Sequence, residues 1–367
     1  MANTAMVYRP IGNGHRDPSL VQQQQTISAR LKGKTPTRKE TYNGGCVMFQ
    51  SEGISDALPE SVTNILQAAW RPSTHTKYQN SAKKWQMFCK QRKIDPYNAS
   101  LNQVLIFLSH FFEKGHAFKT IVGYVTVIKK HIIFNNRDQM AIKQFLKGVF
   151  NLRPPIKKFM ATWDVTIVLN YLSKMKTDTF FKMSKKLATI YMILAGTRVN
   201  TLFNLKITNL YLTDEECAFT FDKVLKHTRP NFNTDPIVYR AYPYDKSLCP
   251  VQNTKDYLTY RLNISSDLGL FTTSTKPHNA ASDATIARWV KETLSEAGIN
   301  TGKFGAHSCR SAATSAADFA GIEMSTIAKA AGWSGTSTFY NHYKKDVMFF
   351  RKEENFGYSL LQRTRNT

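Results

Sequence analysis

Acidic residues are scarce in this chain: Asp and Glu number 26 against 50 Lys and Arg, a formal net charge of +24 over 367 residues. An excess of that size is out of place in a protein that handles neutral small molecules, so a polyanion is the expected partner. Cysteine is sparse as well. The five present, Cys46, Cys89, Cys217, Cys249 and Cys309, are odd in number, widely scattered, and form no CxxC or Cys/His cluster. That pattern argues against a disulfide framework and against zinc, and it suits a reducing compartment where buried cysteine acts as a small apolar residue. Neither a metal nor a cofactor is expected. No apolar run reaches the roughly 18 residues needed to span a bilayer, and the N-terminus lacks the apolar stretch of a signal peptide. There is no lysine-rich amphipathic helix or lipid anchor, so the expectation is a soluble intracellular protein with no membrane partner. Positive charge interleaved with Trp, Tyr and Phe along the whole chain favours nucleic acid as the polyanion.

The supply of core residues is ample, with 42% hydrophobic and 12% aromatic, and the length predicts two compact domains. Residues 1–57 differ from the rest: they hold the Gln22–Gln25 run, few large aliphatics, and a basic stretch at Arg30, Lys32, Lys34, Arg38 and Lys39. Such a segment buries too little apolar surface to offset its ordering entropy and reads as a flexible basic arm. Residues 58–155 read as an all-helical domain of five helices. Val62, Ile65, Leu66 and Ala69 share one helix face, Pro72-Ser73-Thr74 can start a second helix carrying Tyr78, Ala82, Trp85, Met87 and Phe88, and Leu101–Phe112, Thr120–Phe134 and Asp138–Phe150 follow. Trp70, Tyr78 and Trp85 read as core. The Asn151-Leu-Arg-Pro-Pro-Ile-Lys-Lys segment is the expected hinge, because consecutive prolines stop a helix.

Residues 156–367 predict a second domain of helices around a small antiparallel sheet. Helices are expected over Asp164–Met175, Phe180–Leu194, Pro250–Leu262, Ala284–Ala297 and His307–Ala320, and short strands over Leu210–Leu212 and Ala218–Phe221 about the acidic turn Thr213-Asp-Glu-Glu. No internal repeat is present. The fold class is therefore mainly α, with an N-terminal helical domain and a C-terminal α+β domain.

Several residues of this second domain carry phosphate chemistry. Arg198, in Gly196-Thr-Arg-Val-Asn200, follows an apolar helix that ends near a glycine, and the planar fork of an arginine can hold two phosphate oxygens at once. His307 and Arg310 open an alanine-rich helix after Gly302 and Gly305; residues three apart lie on one face, and a helix N-terminus favours an anion. With alanines packing the helix behind them, both are expected to point outward. Lys226, Trp333 and Tyr343 complete a set that could surround one phosphodiester.

In their order, Arg198, His307-x-x-Arg310, Gly332-Trp333 and Tyr343 resemble the catalytic domain of the tyrosine recombinase (phage integrase) family. Thr228-Arg229-Pro230 after Lys226, Gly332-Trp333-Ser334, and Ser337-Thr338-Phe339 ahead of Tyr343 look closest to its eukaryotic mobile-element branch, the crypton and DIRS-type elements. The resemblance runs from about Leu58 to Phe350 and is strongest over Ala306–Tyr343. It implies that Arg198 and Arg310 grip the non-bridging oxygens of the scissile phosphate, that His307 hydrogen-bonds a phosphate oxygen and helps take the tyrosine proton, and that Trp333 stands where many members carry histidine. It further implies Lys226 as general acid, preferred to Lys223 by the Lys-x-x-Arg-Pro pattern, and Tyr343 as the nucleophile that forms a 3′-phosphotyrosyl bond without metal. Tyr340 is the competitor, seven residues beyond Trp333 rather than the ten of Tyr343, and the longer spacing is nearer the family's. One departure stands out: the family often has an acidic residue three positions after the first arginine, where this chain has Thr201.

The helical module resembles the family's core-binding domain, which implies a two-domain clamp on double-stranded DNA. Lys83, Lys84, Lys90 and Arg92, with Lys93, form a basic stripe, and Lys119, Lys129 and Lys130, with His131, a second; Arg229 adds a contact in the catalytic domain. The resemblance also implies a homo-oligomer, a tetramer on two DNA sites, in which a C-terminal tail with Val347, Met348, Phe349, Phe350, Phe356, Tyr358, Leu360 and Leu361 docks on a neighbour, and it implies a nuclear location. Two alternatives stay open. A type IB topoisomerase-like enzyme would relax plain supercoiled plasmid as a monomer, and a domesticated DNA-binding protein would bind without cleaving.

Overall fold

The computed structural model describes residues 59–155, 161–222, 225, 228 and 235–347. The basic arm, part of the expected hinge, Lys223, Lys226, Arg229 and the tail from Met348 onward lie outside the described residues. Those described fall into two compact units, with the boundary near Lys158 and Phe159.

The N-terminal unit is helical throughout: α1 (Glu60–Ala68), α2 (Pro72–Arg92), α3 (Leu101–Glu113), α4 (Phe118–Ile128) and α5 (Asn136–Leu152). Local chemistry sets the helix ends. Ser100 and Gln103 form a reciprocal capping box at the start of α3, and the Asn135 side chain accepts from the Asp138 N–H at 2.8 Å to start α5. The core is aromatic. Phe107 meets Trp85 and Phe88 edge-on at 5.0 and 5.2 Å, and Tyr124 at 5.5 Å. The Trp85 indole N–H finds the carbonyl of Pro96 at 3.0 Å, so its polar edge carries no burial penalty.

Three expectations need correction here. The fourth helix stops at Ile128 instead of running to Phe134, because turns at Lys130 and His131 close it. Helix α1 forms where the spacing predicts one, yet Val62, Ile65 and Leu66 are exposed rather than turned to a core among the described residues. Trp70, read as core, is 36% exposed, with the Lys130 ammonium 4.1 Å above its ring.

The C-terminal unit is built around α7 (Phe180–Leu194), in which every residue from Ser184 to Ile193 is buried. A helix buried on all sides must be covered all round, and α6 (Val165–Lys174), α9 (Pro250–Ile264), α10 (Asp283–Glu296) and α11 (Ser308–Phe319) do this. Its one deep charge near α10, Lys185, reaches Glu296 at 2.5 Å and Glu292 at 3.6 Å, so the ammonium is paired rather than left bare.

The strands β2 (Leu210–Leu212), β3 (Glu216–Phe219) and β4 (Ile237–Arg240) form an antiparallel sheet in sequence order, with Leu212 opposite Cys217 and Cys217 opposite Tyr239. The second strand begins earlier than Ala218 and ends at Phe219 rather than Phe221. The Thr213 hydroxyl accepts from the N–H groups of Glu215 and Glu216 at 3.2 and 3.1 Å, which tightens the turn and draws Glu216 into the ladder. Tyr239 then stacks on Tyr191 of α7 at 4.0 Å, fastening the sheet to the central helix.

Shorter elements complete the unit: α8 (Val199–Phe203), α12 (Met324–Ala330), a π-type turn over Phe339–Tyr343, and a parallel pair of two-residue strands, β1 (Ala161–Thr162) with β5 (Asp346–Val347). The architecture is mainly α with a small antiparallel sheet, the expected class. No helix among the described residues is long and apolar enough to cross a membrane.

Candidate active site

Two glycine turns frame the site. Helix α7 ends at Gly196, whose φ of +52° places it in the left-handed region, and the chain leaves through Thr197 to Arg198, the N-cap of α8. Helix α12 ends at Gly332, φ +64°, where the Trp333 N–H returns to the Ala328 carbonyl at 2.8 Å and the Gly332 N–H to Lys329 at 2.9 Å. This is the closure that a left-handed C-terminal residue provides. Each turn presents a carbonyl inward, and Arg310 of α11 takes both: Nη1 donates to Gly196 at 2.7 Å and Nη2 to Ala331 at 2.6 Å.

Arg310 is therefore not an outward partner of His307. It is 1% exposed, while His307, at the first turn of α11, is exposed. The reason is the helix start: His307 is the N-cap and lies ahead of the helical register, whereas Arg310 is inside the first turn and faces the two glycine turns. The Arg310 guanidinium sits 4.7 Å from the Trp333 ring and 5.1 Å from that of Tyr343. Burial, and then the charge of Arg198, pull it down to about 10, with Tyr343 partly offsetting them; it stays protonated at neutral pH.

The aromatic side of the site is a small cluster of its own. Phe339 is fully buried with Ile327, Ala328, Ala331 and Trp333. Tyr343 packs against this cluster, its ring 4.9 Å from Trp333, and its hydroxyl lies 3.4 Å from Nε2 of His307. Tyr340 lies apart: it is 53% exposed, leaning on Phe339 with Lys344 over its ring at 5.3 Å. The tertiary structure thus brings His307, Arg310, Trp333 and Tyr343 together, with Arg198 close enough to act on Arg310 through its charge.

Two buried donors here have no partner among the described residues, Arg310 Nε and Trp333 Nε1. No carboxylate among the described residues pairs with Arg198 or Arg310. Thr201, at the position noted for its lack of an acid, is buried beside the site and leaves the positive charge unneutralised. Two arginines and two unsatisfied N–H groups make a place suited to an anion with several acceptor oxygens. A cleft of about 810 Å³ opens onto it, lined among others by Thr197, Arg198, Thr201, Lys329, Trp333 and Thr336.

In the N-terminal unit, Lys83, Lys84, Lys90, Arg92, Lys119 and Lys129 are exposed and Lys130 is half-buried. Some of these cations are already engaged. Lys84 donates to the Tyr124 hydroxyl at 3.1 Å and Arg92 lies 4.1 Å over the Phe88 ring.

Sequence reasoning missed two residues that hold the site. Trp163 donates its indole N–H to the Ser308 hydroxyl at 2.8 Å, tethering the start of α11. Ser315, on the same helix, bonds the backbone on either side of Lys344. Both partners lie far off in sequence, so no local pattern marks them.

No curated protein matches the chain in sequence. Residues 167–348 match the phage integrase family. Among solved structures, the XerH site-specific recombinase in a post-cleavage complex with palindromic difH substrate is 15% identical with a TM-score of 0.57, over 92% of this chain and 97% of that one. The Tn1549 transposon integrase, solved in complex with transposon right end DNA, is 11% identical with a TM-score of 0.52, over 94% and 98%. At such identities the likeness shows a shared fold. The family match over residues 167–348 and the likeness in fold agree: this part of the chain is similar to the phage integrase family.

Proposed function

We propose that this chain is a site-specific recombinase of a mobile element, cutting and rejoining double-stranded DNA through a 3′-phosphotyrosyl intermediate. The observation that carries the reading is the convergence of the Tyr343 hydroxyl, His307 at 3.4 Å, and a buried arginine that no carboxylate among the described residues neutralises. That separation is long for a hydrogen bond, as catalytic contacts often are before substrate tightens them.

In this reading Tyr343 Oη attacks the scissile phosphorus and the bond to the 5′ oxygen breaks. Arg198, Arg310 and the Trp333 N–H stabilise the charge that gathers on the non-bridging oxygens, each such donor being worth about 10²–10³ in rate. His307 helps take the phenol proton and Lys226 gives one to the departing 5′ oxygen. A protonated leaving group and two arginines supply what a divalent metal otherwise would, so the reaction proceeds without one. The phosphotyrosine keeps the energy of the broken bond, and religation is the reverse attack by a 5′ hydroxyl.

Lys83, Lys84, Lys90, Arg92, Lys119, Lys129 and Lys130 in the helical unit and Arg229 in the catalytic domain would hold the phosphate backbone. Thr228-Arg229-Pro230 after Lys226, Gly332-Trp333-Ser334 and Ser337-Thr338-Phe339 support a crypton or DIRS-type origin, and that resemblance implies a tetramer on two DNA sites and a nuclear location.

The test is a nicked suicide duplex taken from the DNA ends that flank the coding sequence, incubated with protein in chelator and resolved on a denaturing gel. Wild type should form a covalent adduct that Tyr340→Phe keeps and Tyr343→Phe loses. Adduct loss in Tyr340→Phe alone would move the nucleophile. Tight binding with no adduct would favour the non-cleaving DNA-binding protein, and relaxation of plain supercoiled plasmid by monomer would favour a topoisomerase.

A further inference from the structure

Tyr343 closes a five-residue π-type turn that starts at Phe339, and the Lys344 N–H bonds back to the Phe339 carbonyl at 2.8 Å. A helical end of this kind leaves backbone carbonyls without partners inside the turn. Ser315 of α11 supplies one. Its hydroxyl, on a residue 4% exposed, donates to the Tyr343 carbonyl at 2.9 Å and accepts from the Lys345 N–H at 3.2 Å. A hydroxyl is the smallest side-chain group that can donate and accept at once. From the same helix Asp318, half-buried, reaches the exposed Lys344 ammonium at 3.6 Å, a largely solvated pair that adds little by itself.

We propose that Ser315 is a positioning residue for the strand-transfer reaction: by holding the backbone on both sides of Lys344, it sets where the Tyr343 hydroxyl stands relative to His307 and Arg310. The inference rests on the reading of Tyr343 as nucleophile. One helix then carries the group beside the phenol, the buried arginine and the clamp on the tyrosine's own main chain. The turn has a fixed point at each end, the fully buried Phe339 and the Ser315 bonds, with only three residues between Phe339 and Tyr343. Past the clamp, Asp346 and Val347 pair with Ala161 and Thr162, which keeps the segment from swinging out as a whole. Removing the hydroxyl leaves the turn packed by Phe339 but frees rotation about the Tyr343 and Lys344 backbone. A displacement of about 1 Å in a reacting atom can cost on the order of 10²-fold in rate.

The experiment uses the full chain and the nicked duplex described above, measuring the single-turnover rate of adduct formation at saturating DNA and, separately, the Kd. For Ser315→Ala the rate should fall about 10–100-fold with Kd within about 2-fold of wild type, and Ser315→Thr, which keeps the hydroxyl, should recover most of the rate. Ser315→Ala cleaving as fast as wild type overturns the proposal and leaves the Tyr343 reading intact. Binding and cleavage lost in parallel would make the role one of stability alone and also overturn it, as would a Ser315→Thr variant no faster than Ser315→Ala. Absence of any adduct with wild type would remove the Tyr343 reading and this proposal with it.

Discussion

Arg310 Nη1 donates to the carbonyl of Gly196, 114 residues away in sequence, at 2.7 Å. The carbonyl points there because Gly196 is left-handed, φ +52°, and a Cβ at that position would lie 3.3 Å from the Thr314 methyl. An L-residue in this conformation costs about 1–2 kcal/mol before any steric contact. Gly196→Ala should therefore lower unfolding stability by at least that much and slow adduct formation, because relief of the strain turns the carbonyl away from the arginine. A denaturant midpoint equal to that of wild type would show that the turn does not depend on glycine.

The charge at Arg198 and Arg310, which no carboxylate among the described residues pairs with, predicts an anion effect on stability. Burial and the neighbouring arginine disfavour the charged form of Arg310, and a bound anion favours it. Sulfate at matched ionic strength should raise the Tm of wild type more than chloride does, by the linkage that stabilises any state a ligand selects. Arg198→Gln and Arg310→Gln should each shrink that difference and slow adduct formation by about 10²–10³. Equal sulfate shifts in all three proteins would place the anion elsewhere on this basic chain.

Trp333 has two features, a packed ring and a buried N–H donor, that one substitution separates. Its ring lies 4.9 Å from Tyr343 and 4.7 Å from the Arg310 guanidinium, while its buried Nε1 has no partner among the described residues. Trp333→Phe keeps an aromatic face and deletes the donor. The free protein should lose little stability, since an unsatisfied buried N–H is a cost in itself, while cleavage drops on the order of 10²-fold. A loss of thermal stability with unchanged cleavage rate would assign Trp333 to packing only.

The helical unit should weaken in mild acid. His116 is held below its usual range by burial and then by Lys84 and Lys114, and His131 by burial and then by Lys130. A histidine whose folded pKa is lowered takes up its proton more readily in the unfolded chain. Stability is thus full above about 6.5, the unfolded value, and is lost as the pH falls from there toward the folded values. Urea midpoints at about pH 7.5 and pH 5 should differ more for wild type than for the His116→Gln, His131→Gln double variant; equal differences would count against both histidines.

Much of the helical framework was legible from local pattern. Phe180–Leu194 was read residue for residue, because its apolar run is long, and the remaining long helices were placed to within a few residues except the fourth, whose expected end at Phe134 lies well past Ile128. Apart from the strands β2 and β3, elements shorter than about two turns were not. α8, α12, the π-type turn and the β1–β5 pair have too few residues to carry a period, and tertiary contacts rather than propensity hold them. The exposed face of α1 shows the converse: Val62, Ile65 and Leu66 have the spacing of a buried stripe, but spacing alone does not say what lies opposite.

At the site, residue order and type were enough to single out Arg198, His307, Arg310, Trp333 and Tyr343, since arginines, a helix start and a tyrosine at set spacings are properties of the chain itself. Which way each side chain faces was settled only by folding. Arg310 turns inward because two glycine turns, separated by more than a hundred residues, offer it carbonyls; Tyr343 rather than Tyr340 meets His307 because Phe339 anchors the turn and Ser315 holds its end. Hydrogen bonds between residues distant in sequence leave no periodic trace, and so the chain's order named the groups while tertiary packing alone decided their geometry.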